Sequence, residues 1–181
     1  MSNILCIDPS YTLGWAIVQY DPWAVVDHGV VHTNATSLPA WEEMPRVRVY
    51  AAALWRIVGK HQPTAIISEI PTGSKEYRSS RAFGRMDGLL AMLATAIDVP
   101  LIPVSPFDVK NVAYNVPSGA RLPSRPSIRK PKRSIVTAIH SFYYEPIFTR
   151  YSTGSEIEAV CDAIAVGVAG HRHWLSLSFT E

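Results

Sequence analysis

Apolar runs separated by turn residues divide the start of the chain into three predicted strands. Residues 3–8, 14–20 and 23–33 are rich in Val, Ile and Trp, and the segments "DPSYT" and "YDP" separate them. Because "YDP" is short enough for a hairpin turn, we expect the three strands to be antiparallel neighbours.

A helical period then predicts two amphipathic helices, at residues 41–61 and 79–98. The first is expected to bury one face, composed of Val47, Ala51, Leu54, Trp55 and Val58. The second is expected to bury Met86, Leu89, Leu90 and Leu93. We interpret Trp23, Trp41 and Trp55 as packing residues.

The remaining pattern predicts two more strands and two more helices. The strands are "TAIISEI" at 64–70 and "LIPVS" at 101–105, and the helices cover 132–142 and 155–174. Between them, residues 115–131 are dominated by Pro, Ser and Arg, which predicts a mobile basic loop. The order β-β-β-α-β-α-β-α-α indicates an α/β fold with a mixed five-stranded sheet flanked by helices, as a single domain over residues 1–181. In this sheet, we expect three antiparallel strands followed by parallel additions.

Composition indicates a soluble globular protein, with 48% hydrophobic and 18% charged residues in 181. No apolar run is long enough for a membrane span, and no signal-peptide pattern opens the sequence. We therefore expect a cytoplasmic location and no membrane partner. Cys6 and Cys161 lie in apolar runs and are predicted core residues.

Positive charge is concentrated in one segment of a chain whose net charge is only +2. Between Asp108 and Glu145 there is no acidic residue, and the basic residues there are Lys110, Arg121, Arg125, Arg129, Lys130, Lys132 and Arg133. This asymmetry favours a polyanionic partner, although a solvated loop with a chance excess of basic residues would look the same.

Three acidic residues occur where burial would be costly. Asp8 ends the first strand, Glu69 ends the fourth, and Asp162 lies in "AVCDAIAVGVAG", which has no other charge. Each alone could have a local role: a turn cap, an ion pair with Arg, or a helix edge. Together they predict one oxygen-rich site that suits Mg²⁺ or Mn²⁺ rather than zinc, with Asp8 as the ligand shared by two ions.

The ordered motifs "ILCIDPSYTLGWAIV", "AIISEIP" and "DAIAVGVA" resemble the RuvC family of Holliday junction resolvases, in the ribonuclease-H-like and retroviral-integrase superfamily. "SSRAFGRMDGLLAML" is similar to the family helix that follows the glutamate, with glycines at Gly84 and Gly88. "VSPFDVKNVA" and "KPKRSIVTAI" resemble segments that bring basic residues to DNA, here Lys110 and either Lys132 or Arg133. The long basic loop is more typical of phage and other divergent members.

The resemblance implies a crossover junction endodeoxyribonuclease that makes paired symmetric nicks in four-way DNA by a two-metal mechanism, without a small-molecule cofactor. It implies Mg²⁺, two ions per site, held by Asp8, Glu69 and Asp162. Paired cuts imply a two-fold homodimer, and we take the helix at 79–98 as the candidate interface. The basic residues named above would bind DNA phosphates, and Tyr77 or Arg78 could contact the branch point.

One departure from the family concerns a fourth acid, or a histidine, which the family usually places three residues before the final aspartate. That position is Ala159 here. Glu158 lies on the same helical face as Asp162. It could serve as a catalytic metal ligand in place of the acid that is missing at position 159. Alternatively, "SEIE" is a capping box in which Ser155 is the N-cap and Glu158 bonds back to its backbone.

Other functions stay open at this point. A related nuclease could act on flaps, replication forks or structured RNA, and a non-catalytic branched-DNA-binding scaffold could have kept the fold. Retention of the three core acids argues against the scaffold, whereas Ala159 argues slightly for it.

Overall fold

The computed structural model describes residues 2–10, 12–33, 43–70, 77–115, 135–139, 150–151 and 153–178. Its strands are β1 (Ile4–Asp8), β2 (Thr12–Tyr20), β3 (Trp23–His32), β4 (Ala65–Glu69) and β5 (Leu101–Val104). Its long helices are α1 (Glu43–His61), α2 (Tyr77–Ala96), α3 (Pro106–Asn115) and α4 (Gly154–Ser178). Residues 135–139 are also helical.

The five strands form one sheet in the order β3-β2-β1-β4-β5. β1 and β3 are each antiparallel to β2, and the two-residue turn between Tyr20 and Trp23 makes the predicted hairpin. β4 adds parallel to β1, and β5 adds parallel to β4. The predicted mixed sheet, with three antiparallel strands followed by parallel additions, is confirmed.

Alternation along the strands gives the sheet two buried faces. On one face, Leu5 and Ile7 of β1 pack with the apolar sides of α1 and α2. On the other, Ile4 and Cys6 pack with α3, residues 135–139 and α4. Cys161 is also buried on this second face, so both cysteines are core residues as predicted.

Two predictions about the helices need correction. Trp55 is 45% exposed, because α1 instead turns Tyr50 and Ile57 inward beside Leu54. The sequence prediction also missed α3 entirely, placing no helix between β5 and the basic loop. The predicted inner face of α2 is correct: Met86, Leu89, Leu90 and Leu93 are all buried.

Several predictions fall on residues outside the described ranges. The predicted basic loop at 115–131 does so except for its first residue, which ends α3. Trp41 lies outside them as well, and so do residues 132–134 and 140–142 of the predicted helix at 132–142. Among the described residues, no helix is long and apolar enough to cross a membrane.

Candidate active site

Asp8 and Glu69 lie side by side at the carboxyl ends of neighbouring strands. β1 and β4 are parallel, and their register pairs Ile7 with Ser68. Asp8 and Glu69 are the next residues along the two strands, and each is the last residue of its strand. The parallel pairing of β1 with β4 therefore brings the two acidic residues to one edge of the sheet.

Strand alternation also places both carboxylates on the same face. Ile4 and Cys6 of β1 belong to the core under α4, as do Ala65 and Ile67 of β4. Because side chains two residues apart point to the same side of a strand, Asp8 and Glu69 face α4. Both side chains are partly buried.

α4 lies directly on the sheet beside Asp8. Gly14 of β2 is the cross-strand partner of Asp8, and a Cβ at Gly14 would collide with the carbonyl oxygen of Ala159. Further along the helix, a Cβ at Gly167 would lie 2.8 Å from the Cys6 sulfur. α4 thus begins near the carboxyl end of β1 and runs back along that strand. Glycine at position 14 is what permits the close approach near Asp8.

Asp162 is in electrostatic contact with Glu69. Burial raises the pKa of Glu69 above its ordinary value, the negative charge of Asp162 raises it further, and Lys110 partly offsets both. The three residues come from β4, α4 and α3. The structure therefore brings acids that are distant in sequence into one electrostatically coupled group, with a lysine at its border.

Thr153 caps α4, and its capping-box partner is Glu156, not Glu158. The Thr153 N–H and hydroxyl donate to the Glu156 carboxylate, each at 3.0 Å, and the Glu156 N–H donates back to the Thr153 hydroxyl at 3.3 Å. The capping box is therefore "TGSE", and the alternative in which Ser155 and Glu158 form it is wrong. The Glu156 carboxylate also lies 2.8 Å from Nε2 of His32, which ties the start of α4 to the end of β3.

Glu158 lies on the same flank of α4 as Asp162, one turn earlier. Ala159, in contrast, is 4% exposed and packs against Gly14. An acidic side chain at position 159 would start from the face of the helix that rests on the sheet, whereas one at 158 starts from its partly exposed flank. Because Glu156 forms the capping box, helix capping does not account for Glu158, which stays a candidate for the predicted site ligand.

The donor chemistry of this group fits a hard divalent cation. Asp8, Glu69, Asp162 and Glu158 offer only carboxylate oxygens, the ligands that Mg²⁺ and Mn²⁺ prefer. Burial is the main cause of the raised pKa of Glu69, and a bound cation would offset both this and the added repulsion from Asp162. Within the part of the chain that the structure describes, however, no three His, Cys, Asp or Glu side chains are grouped closely enough to hold a metal ion.

Of the predicted DNA-binding residues, Lys110 is in the described part of the chain, and it is exposed on α3. Tyr77 and Arg78 begin α2, but their side chains lie outside the described part. The other predicted DNA contacts also lie outside it: Arg121, Arg125, Arg129, Lys130, Lys132 and Arg133.

Sequence reasoning missed the helix that positions Lys110. Ser105 caps α3: its hydroxyl accepts the Asp108 N–H at 3.1 Å and donates to the Asp108 carboxylate at 2.6 Å. "SPFD" carries the signal that could have found it, a Ser three residues before an acid with Pro at the first helical position.

The sheet order and the acidic residues at the strand ends define a ribonuclease-H-like fold. Among solved structures, the chain is similar to RuvC of Thermus thermophilus in complex with a Holliday junction substrate, with a TM-score of 0.64 and 17% identity over 98% of this chain and 96% of that one. A second structure of Thermus thermophilus RuvC gives a TM-score of 0.63 and 17% identity, over 95% of this chain and 96% of that one.

The yeast mitochondrial Holliday junction resolvase is similar over 99% of this chain and 81% of its own, with a TM-score of 0.63 and 12% identity. No protein-family model matches the chain, and neither does any curated protein sequence. At these identities the similarity is one of fold, and it confirms that this chain has a RuvC-like resolvase fold.

Proposed function

We propose that this protein is a metal-dependent endodeoxyribonuclease that resolves four-way DNA junctions by paired symmetric nicks. The observation that carries the proposal is the placement of Asp8 and Glu69 on adjacent parallel strand ends, on the face covered by the helix of Asp162. The RuvC-like fold supports it, since the similarity extends over nearly the whole length of a RuvC structure that contains a Holliday junction.

Asp8, Glu69 and Asp162 would hold two Mg²⁺ ions, with Mn²⁺ as a substitute and Glu158 as a fourth ligand. When bound, such ions activate water for attack on a phosphodiester and neutralise the charge that develops on the phosphate. The protein supplies the rigid frame. The parallel pairing of β1 and β4 fixes the positions of the Asp8 and Glu69 carboxylates. The contact between Gly14 and Ala159 fixes the distance of α4 from the sheet.

The basic residues named above would bind phosphates of the DNA backbone. Lys110 is already close enough to lower the pKa of Glu69, so a phosphate that it binds would lie next to the acidic group. Phosphate contacts of this kind position DNA without reading its sequence. Two copies related by a two-fold axis would present two such sites to the two strands that are cut.

A non-catalytic branched-DNA-binding protein is the second candidate. It is favoured by the absence, among the described residues, of three side chains grouped for metal binding, and by the buried Ala159. A nuclease for flaps, forks or structured RNA would use the same acidic group and differs only in substrate.

The test is cleavage of a labelled synthetic four-way junction by the purified protein, with Mg²⁺ and with EDTA. Flap, fork and structured RNA substrates run in parallel. Asp8→Asn is the active-site variant and Asp98→Asn is its matched control. Asp98 is exposed, precedes β5 at the opposite end of the strands, and has a φ of 55° that Asn also adopts readily.

We expect symmetric nicks from the wild type and Asp98→Asn with metal, and none from Asp8→Asn or in EDTA. Tight junction binding without cutting, in Mg²⁺ or Mn²⁺, would establish the binding scaffold instead. Faster cutting of flaps, forks or RNA than of four-way junctions would reassign the substrate and keep the nuclease.

A further inference from the structure

Phe107 is 72% exposed, the highest value among the large apolar side chains in the described part of the chain. Single exposed apolar residues are normal on protein surfaces, so exposure alone indicates nothing. What distinguishes Phe107 is its position relative to the acidic group.

Phe107 lies at the same edge of the sheet as the carboxylates. β5 ends at Val104, which is the register partner of Glu69, and the Ile70 N–H donates to the Val104 carbonyl at 2.9 Å. Three residues after Val104, Phe107 occupies the first turn of α3. Lys110, which interacts electrostatically with Glu69, follows one turn later on the same side of the helix.

The first turn of α3 holds Phe107 outward rather than leaving it loose. Ser105 caps the helix through the Asp108 N–H and carboxylate, and the Val109 N–H donates to the Ser105 carbonyl at 3.1 Å. On the inner side of the helix, Val109 and Val112 are buried in the core beneath α4. Phe107 lies about 200° around the helix from Val109, on the side turned to solvent.

An exposed aromatic ring beside a lysine, at the border of an acidic group, has the chemistry of a nucleotide contact. Aromatic rings stack on unpaired bases of any sequence, while a neighbouring cation binds the phosphate of the same nucleotide. Because Phe has no hydrogen-bonding group, an exposed Phe ring can offer a ligand only apolar and stacking contacts.

We propose that Phe107 stacks on an unpaired or unstacked nucleobase at the branch point, with Lys110 on the adjoining phosphate. The proposal rests on the proposed function, since it requires branched DNA at this edge of the sheet. It assigns to the start of α3 a base-stacking role that is separate from the phosphate contact of Lys110.

The experiment uses a four-way junction with 2-aminopurine at one branch-point position at a time, in EDTA so that no strand is cut. Binding is followed by 2-aminopurine fluorescence and by the dissociation constant. The variants are Phe107→Ala, Phe107→Leu and Phe107→Trp, because Leu keeps an apolar side chain but cannot stack as an aromatic ring. Val49→Ala is the matched control, since Val49 is 46% exposed on α1, on the other side of the sheet.

For the wild type, Phe107→Trp and Val49→Ala, we expect binding to change the fluorescence at one branch-point position. For Phe107→Ala and Phe107→Leu, that change should disappear and affinity should fall about tenfold. Thermal melting should be unaltered in all variants, since each replaced side chain is exposed.

Three results would overturn the inference. If Phe107→Ala and Phe107→Leu match a wild type that binds and cuts junctions, the proposed function stands and Phe107 does not stack. If Phe107→Ala changes the oligomeric state in sedimentation and leaves the fluorescence unchanged, Phe107 contacts protein. If the wild type neither binds nor cuts junctions, the proposed function fails and this inference fails with it.

Discussion

At the scale of single residues, the contact between Gly14 and Ala159 sets the distance between α4 and the strand that carries Asp8. A Cβ at position 14 would overlap the backbone of the helix, and backbone cannot move aside like the end of a flexible side chain. We expect Gly14→Ala to lower the free energy of unfolding by about 3 kcal/mol, the upper end of the range for overpacked cores. Urea denaturation measures this directly.

Gly59→Ala is the matched control, because a Cβ there would meet nothing within 4 Å. Alanine is the better helix former, so this variant should be as stable as the wild type or slightly more stable. Equal stability of Gly14→Ala and Gly59→Ala would contradict the close approach of α4 to the sheet.

Glu156 and Glu158 have different predicted roles although they are only two residues apart. Glu156→Ala removes the capping box and the contact to His32, and should cost about 1 kcal/mol of stability. Glu158→Ala should change stability by less than about 0.5 kcal/mol. It should slow junction cleavage by at least about tenfold, as expected for loss of a group at a metal site.

Chemical denaturation and single-turnover cleavage of the two variants provide the measurements. The opposite pattern, in which Glu158→Ala cleaves normally and loses stability, would return the capping role to Glu158. It would then remove Glu158 from the site.

At the scale of secondary-structure elements, Asp27 joins the edge strand β3 to the end of α1. Its carboxylate lies 2.7 Å from Lys60 Nζ, 3.0 Å from His61 Nε2 and 3.7 Å from Arg150 Nη1. Burial alone would raise the pKa of Asp27. However, hydrogen bonds from Lys60 and the His28 amide, with the charges of Lys60 and His61, outweigh it, so the pKa lies below its ordinary value.

A lowered carboxyl pKa contributes stability above the pKa of the unfolded chain, and that stability is lost as the pH falls through the folded value. Asp27→Asn should therefore be less stable than the wild type by about 1 kcal/mol at pH 7, the upper end for partly exposed ion pairs. The difference should shrink below the ordinary pKa of 3.8. Thermal denaturation across this pH range tests it.

Lys60→Gln provides the companion measurement, since Lys60 is the nearest cation to Asp27. In the double variant, the loss of stability should be smaller than the sum of the two single losses, because both substitutions remove the same interaction. A difference between Asp27→Asn and the wild type that stays constant with pH would contradict the lowered pKa.

Patterns within single elements and between adjacent strands could be predicted from the sequence. The convergence of Asp8 and Glu69 could be predicted because burying either acid alone would be costly and both end a strand. Their strands are parallel neighbours, which brings the two carboxyl ends to one edge. Trp55 was misplaced because it follows the buried Leu54 by only one residue, about 100° around the helix. α3 was missed because its short apolar pattern continues directly from β5, and its "SPFD" cap was not recognised.

The remaining features depend on how distant elements pack against each other, and local sequence patterns do not predict that packing. Gly14 reads as an ordinary strand residue until α4 is placed on it. Likewise, "TGSE" and "SEIE" are equally acceptable capping boxes by sequence, and only the position where the helix begins distinguishes Glu156 from Glu158.

At the scale of the whole molecule, the proposed DNA-binding surface and the proposed dimer interface lie on opposite faces of the sheet. The α3 and α4 face carries the acidic group and Lys110, whereas α1 and α2 cover the opposite face. Lys110→Ala should weaken junction binding for all sequences and reduce the slope of log K against log salt by about 1, the loss of one phosphate contact. Fluorescence anisotropy over a salt series measures the slope.

Arg56→Ala is the control for this prediction, since Arg56 is an exposed cation on α1. It should leave both affinity and salt slope unchanged. If Arg56→Ala and Lys110→Ala reduced the slope equally, the DNA would not be confined to the α3 and α4 face.

The opposite face is where a second copy would bind if α2 forms the proposed two-fold interface. Met92 of α2 is 56% exposed, and such an apolar side chain would be buried in a dimer. Met92→Glu would place two like charges near the axis of a two-fold contact, so we expect a shift from dimer to monomer in analytical ultracentrifugation. Val49→Glu, on the exposed side of α1, should leave the mass unchanged.

Cleavage of a junction held in a cruciform plasmid separates the role of the dimer from that of the active site. Paired cuts within one complex linearise the plasmid, whereas a single cut only nicks it and releases the cruciform. Met92→Glu should therefore yield mainly nicked circles, while its acidic group stays intact because α2 lies on the other face of the sheet. Linear product from a monomeric Met92→Glu variant would show that the two cuts do not require paired subunits.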